Sequence, residues 1–143
     1  MSSLRISTDR AELDLVLIHH FLATQSSWAK GIPLATLERA VAHSLCFGGF
    51  IGASQIAFAR VVTDQASYAN LLDVFVLPEH RGKGYSKLLM QAVMAHPQLQ
   101  GLRRFTLATS TAHGLYAQFG FTAPSRPQSL MERYIPDVYA HGD

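Results

Sequence analysis

At 143 residues the chain has room for one domain spanning 1–143 and for no second independent core. Its composition is that of an ordinary globular protein, 48% apolar and 15% charged. A net charge of +2 with no Lys/Arg run gives no basis for nucleic-acid binding.

A single cysteine, Cys46, excludes an intrachain disulfide and a cysteine-based metal site. Of the histidines (His19, His20, His43, His80, His96, His113 and His141), none forms an i,i+4 pair, so no metal is expected. No N-terminal apolar segment and no apolar run of about 18 residues is present, so neither secretion nor membrane insertion is expected and the cytoplasm is the expected location.

In chain order, Ser3 to Ser7 alternate like a short strand. Thr8-Asp9 offers a helix N-cap with Glu12 in the first turn, and Leu13, Val16, Leu17 and Phe21 follow at helical spacing. Trp28 to Gly31 reads as a loop. Pro33 suits a helix start, with Leu34, Leu37, Val41 and Leu45 as its apolar stripe.

From Cys46 the period turns extended. Runs 46–51, 54–62 and 68–77, separated by turn signals, predict an antiparallel meander. The third run, Leu71 to Leu77, is apolar on both faces except at Asp73, as a central strand would be. Pro78 stops it. Tyr85, Leu88, Leu89, Ala92 and Val93 then share one helical face, ended by His96-Pro97. Residues 103–109 predict a strand and 112–118 a short helix closed by Gly120. Phe121 and Leu130 to Ile135 are candidates for the last strands.

Between the central strand and the following helix lies Arg81-Gly82-Lys83-Gly84-Tyr85-Ser86. Glycines there let the backbone turn so that N–H groups converge at a helix N-terminus, where amides lack intrahelical partners and the dipole favours negative charge. Arg81 and Lys83 add positive charge, and Ser86 is small enough for close approach. The spacing fits neither a P-loop nor a dinucleotide fingerprint. Taken alone, the loop is either an anion site or an ordinary turn with a helix cap.

Its surroundings decide between them. Asp73-Val74-Phe75-Val76-Leu77-Pro78-Glu79-His80-Arg81-Gly82-Lys83-Gly84 resembles the R/Q-x-x-G-x-G/A signature of the GNAT superfamily of N-acetyltransferases, with Ser86 replacing the usual last Gly or Ala. Leu115-Tyr116-Ala117-Gln118-Phe119-Gly120-Phe121 resembles the family's L-Y-x-x-x-G-F motif. The resemblance covers the chain to about Ile135. It implies an α/β (α+β) fold, with a central mixed, mostly antiparallel twisted sheet flanked by about four helices.

It also implies acetyl transfer from acetyl-CoA to a primary amine of a small molecule or peptide. The backbone of Val74 and Val76 would pair with the pantetheine arm, and Arg81, Gly82, Lys83, Gly84, Tyr85 and Ser86 would cradle the pyrophosphate. Strands 68–77 and 103–109 would splay to admit it. Tyr116 would donate a proton or hydrogen bond to the departing sulfur.

Asp73 is a candidate general base, or equally the partner of a buried Arg60. Asn70, on the opposite face of an ideal strand, stands near where some relatives place a catalytic glutamate; an amide cannot accept the proton, which leaves a water chain as the alternative. Thr109 replaces a cofactor-holding asparagine, whereas Ala112 matches the family pattern. Trp28 is a candidate wall of the acceptor pocket or a hydrophobic plug. A non-catalytic acyl-CoA-binding module is the other reading of the same residues, and the resemblance also leaves room for a homodimer.

Overall fold

The computed structural model describes residues 3–140; His141 lies outside them. Five strands form one sheet in chain order: β1 (Arg5–Ser7), β2 (Leu45–Ile51), β3 (Ser54–Thr63), β4 (Tyr68–Val76) and β5 (Arg104–Leu107). β1 to β4 pair antiparallel and β5 joins β4 parallel, as a mixed α/β sheet requires. The helices are α1 (Leu15–His20), α2 (Leu34–Ala42), α3 (Tyr85–Ala95) and α4 (His113–Ala117). No helix among the described residues is long and apolar enough to cross a membrane.

The sheet carries an apolar layer on each face. On one, Ala59, Val61 and Leu71 meet Leu89, Met90 and Val93 of α3, all buried. On the other, Phe58 and Phe75 meet Ile18, Phe21, Leu22, Leu37 and Val41. Phe21 stacks on Phe75 with ring centroids 4.0 Å apart, tying α1 to the middle of β4.

Local chemistry corrects several sequence expectations. Asp9 caps only a 3₁₀ turn, Arg10–Glu12, which breaks at Leu13. Asp14 caps α1 instead, accepting from the Leu17 amide at 3.1 Å. That break rotates the helix: Val16 is 77% exposed, while Ile18 and Leu22 take the core positions. The helix then widens into a π turn over Phe21–Gln25. Leu45 begins β2 rather than closing α2. On α3, Leu88 faces outward and Met90 inward. No strand forms after β5 among the described residues, so the last strands expected at Phe121 and 130–135 are absent. Tyr134 and Ile135 there are exposed.

β4 contains the feature that shapes the site. Phe58 pairs with Phe75 and Arg60 with Leu72, so Ala59 alone faces both Asp73 and Val74. The extra residue makes a β-bulge in which Asp73 adopts φ +56°. It also shifts the side-chain alternation by one. Asn70 pairs with Val62 and Leu72 with Arg60, and Asp73 bonds Arg60, so Asp73 shares the α1/α2 face with Asn70. Opposite faces, expected for an ideal strand, do not occur.

Candidate active site

Pairing between β4 and β5 runs from Tyr68–Arg104 to Leu71–Leu107 and stops there, while β4 continues to Val76. β5 itself ends at Leu107, so from Leu72 onward β4 has no strand partner on that side. Leu77 N–H is spent on Ile56 of β3 at 2.9 Å, so alternation turns the backbone groups of Val76 and Val74 toward the open side. This edge faces the space left by β5.

Arg81 Nε donates to the Val76 carbonyl at 2.9 Å. Its first task is therefore to brace the end of β4. One strand-edge acceptor expected to be open to a cofactor is already partnered, leaving the groups of Val74 as the freer pair.

The loop that follows turns through two left-handed glycines, Gly82 and Gly84, both at φ +79°. A β-carbon at either would meet nothing within 4 Å, so backbone conformation rather than crowding calls for glycine. Gly84 occupies the N-cap position of α3 and has no side chain to cap it. The first amides of α3 consequently have no side-chain acceptor, the condition for an anion seat. A cavity of about 350 Å³ opens there, lined by Arg81, Gly82, Gly84, Tyr85, Ser86 and Lys87 on one side. Leu115 of α4 and Gln118, which caps its C-terminus, line the other, with Val76 and His80. Lys83 is not among the lining residues, whereas Lys87 is. Sequence reasoning missed Gln118 and His80; the i,i+3 spacing of Leu115 and Gln118 was the available signal.

A larger cavity, about 870 Å³, runs along β5 and is lined by Tyr116, Thr109, Phe105, Leu107, Phe119 and Phe121 among others. Tyr116 is 8% exposed, and burial holds its phenol above the ordinary tyrosine pKa. Its ring meets Phe121 edge-on at 6.2 Å, which fixes its orientation. Thr109 Oγ1 accepts from the Ala112 amide at 3.0 Å, so the residue that replaces an asparagine holds the start of α4.

On the other face, Asp73 is 7% exposed with both oxygens engaged. Trp28 Nε1 donates to Oδ1 and Arg60 Nε to Oδ2, each at 2.8 Å. Arg60 also reaches Ser44 Oγ at 3.1 Å. The ion pair weighed from the sequence is thus formed, and the indole of Trp28, still half-exposed, is pinned beside the bulge. Asn70 Oδ1 accepts from Thr106 Oγ1 at 2.8 Å, and Tyr68 OH lies 2.7 Å from the same hydroxyl. These polar contacts zip β4 to β5 just before their pairing ends at Leu71 and Leu107.

Comparison with known proteins agrees with this geometry. The sequence model of the acetyltransferase (GNAT) domain matches residues 42–123. A Gibberella zeae protein assigned as an acetyltransferase is 30% identical over 135 residues, covering 79% of this chain and 75% of that protein. A crystal structure of a Xanthomonas campestris protein assigned to the GNAT family superimposes with a TM-score of 0.95 at 64% identity, covering 98% of this chain and 99% of that one. A Clostridium acetobutylicum protein solved with acetyl-CoA shares the fold, with a TM-score of 0.67 at 14% identity over 94% of this chain and 96% of that one.

Proposed function

This chain belongs to the GNAT acetyltransferase family, and from that premise we propose that it transfers an acetyl group from acetyl-CoA to a primary amine. The observation that carries the reading is the stretch of β4 beyond Leu71 that β5 leaves unpaired, leading to the uncapped start of α3. An extended, phosphate-bearing carrier fits such a path: strand-like along Val74, anionic at Gly82–Ser86.

Acetyl-CoA supplies an electrophilic thioester carbonyl. The amides at the head of α3 hold its pyrophosphate, assisted by Arg81 and Lys87. Tyr116, kept protonated by burial, donates to the sulfur as negative charge develops there. Asp73 acts as a positioning residue, since its oxygens hold Arg60 and Trp28. The proton of the acceptor amine passes to water on the Asn70 face, because neither the amide nor the engaged carboxylate takes it. Trp28 borders the acceptor.

Calorimetric titration with acetyl-CoA, followed by a thiol-release assay over a panel of primary amines, tests the proposal. Cys46 does not confound that assay, being buried with its thiol pushed up to about 11. Saturable binding and amine-dependent release of CoA are expected. Absence of binding, or binding without release across the panel, overturns it.

A further inference from the structure

Trp28 stands on a connection that the fold holds still. Ser26 before it is buried, its hydroxyl donating to the Leu22 carbonyl at 2.6 Å and accepting from the Ala29 amide at 3.0 Å. Ala29 and Ile32 after it are buried in the α1/α2 apolar layer. The Gly31 amide donates to the Ala23 carbonyl at 2.9 Å, and the Ile32 carbonyl lies 2.8 Å from His19 Nε2. The indole itself is fixed by its bond to Asp73 Oδ1. Yet Trp28 is 53% exposed.

These contacts restrain the indole without covering it. An indole has a single polar hydrogen, on Nε1, and here it is spent on Asp73. What stays open is ring surface, rigid and apolar. An aromatic plane already held in place loses little freedom on stacking, so it favours a flat partner.

Position and charge narrow that partner. Asp73 immediately precedes Val74, the strand position proposed for the acyl carrier, so the indole is tied one residue from that path. The carboxylate it touches has its other oxygen on Arg60, in a buried pair. That carboxylate is therefore closed to a second positive charge on an acceptor. Val62, Asn70 and Leu72, the nearest positions on the same sheet face, are uncharged.

We propose, resting on the acetyl-transfer reading above, that the acceptor is an aromatic monoamine whose ring stacks on Trp28 while its nitrogen reaches the thioester beside Val74. The N–C bond forms as the C–S bond breaks. Sulfur takes the Tyr116 proton, and the proton lost by the amine restores it through water. An ammonium is itself drawn to an indole face, but the attacking nitrogen is uncharged and lies at the carbonyl. The ring surface is thus left for the body of the acceptor, and Trp28 selects that body.

The test compares phenethylamine, hexylamine and hexamethylenediamine as acceptors with acetyl-CoA and the full chain. Phenethylamine is expected to exceed hexylamine about tenfold in kcat/KM, with the diamine lowest. Trp28→Leu, checked for folding by circular dichroism, is expected to erase the aromatic preference. Trp28→Phe keeps a ring and is expected to retain part of it. In wild type with CoA, emission from the only tryptophan is expected to change saturably with phenethylamine and not with hexylamine. Transfer without aromatic preference, or a preference unchanged in Trp28→Leu, overturns this inference and leaves the transferase reading standing. A saturable emission change with no transfer to any amine overturns the transferase reading and keeps Trp28 as an aromatic-amine site. Neither emission change nor transfer overturns both.

Discussion

Trp28 and Asp73, 45 residues apart, are joined by a 2.8 Å hydrogen bond from the indole N–H to a buried carboxylate at a left-handed bulge. The other oxygen holds Arg60, so one aspartate links the α1–α2 connection, β3 and β4 where the cleft opens. Removing one member of such a buried pair strands the other charge. Arg60→Met is expected to lower stability by about 3 kcal/mol in urea denaturation. Trp28 is the only tryptophan, so its emission should shift as its anchor loosens. Unchanged stability and emission would show that the pair holds nothing.

Tyr116→Phe removes the acidic proton and keeps the ring. Turnover is expected to fall about 100-fold with little change in acetyl-CoA affinity, the mark of an interaction made as charge develops on sulfur. Burial raises the folded pKa of Tyr116 above its unfolded value. Its protonated form therefore persists beyond about pH 10, where free tyrosine ionises. The contribution to folding is complete below that pH and is lost as pH rises through the folded pKa. Loss of turnover in wild type well below that range would assign the alkaline limb to another group.

Gly84→Ala places a β-carbon in open space but at φ +79°. The expected cost is conformational, about 1–2 kcal/mol, and any relaxation of the turn moves the first amides of α3. Acetyl-CoA binding by calorimetry should weaken along with thermal stability. A variant that loses stability and keeps full affinity would separate this turn from the anion seat.

Asp64 organises the β3–β4 turn by accepting from the amides of Ala66, Ser67 and Tyr68 at 2.9, 2.8 and 3.1 Å. The Ser67 hydroxyl and those amides hold its pKa well below the usual carboxylate range, the hydroxyl contributing most. Because the folded pKa is depressed, its contribution is present above the unfolded value of about 3.9 and is lost as pH falls further. Asp64→Asn should flatten the acid limb of the stability curve. An identical acid limb in both proteins would place the sensitivity elsewhere.

The positions of α3 and of the strands β2 to β4 were legible in the sequence because they rest on local patterns: extended runs, proline after a strand, paired glycines before an apolar helical face. The glycine turn before α3 was legible for the same reason, and two motifs in order made the family readable. The first helix was misjudged because two aspartates, Asp9 and Asp14, compete as caps, and only packing against Phe75 selects the second. The last strands were misplaced because alternation cannot say whether a partner edge lies within reach.

By itself, the sequence determined the glycine turn at the start of α3, since a left-handed glycine turn at a helix start is encoded within a few neighbouring residues. Tertiary structure decided what depends on distant groups meeting. The bulge brings Asp73 to the Asn70 face, Arg60 and Trp28 occupy its oxygens, and Arg81 turns back onto Val76. Each is a contact between residues that no local spacing relates, formed only when the sheet aligns its strands.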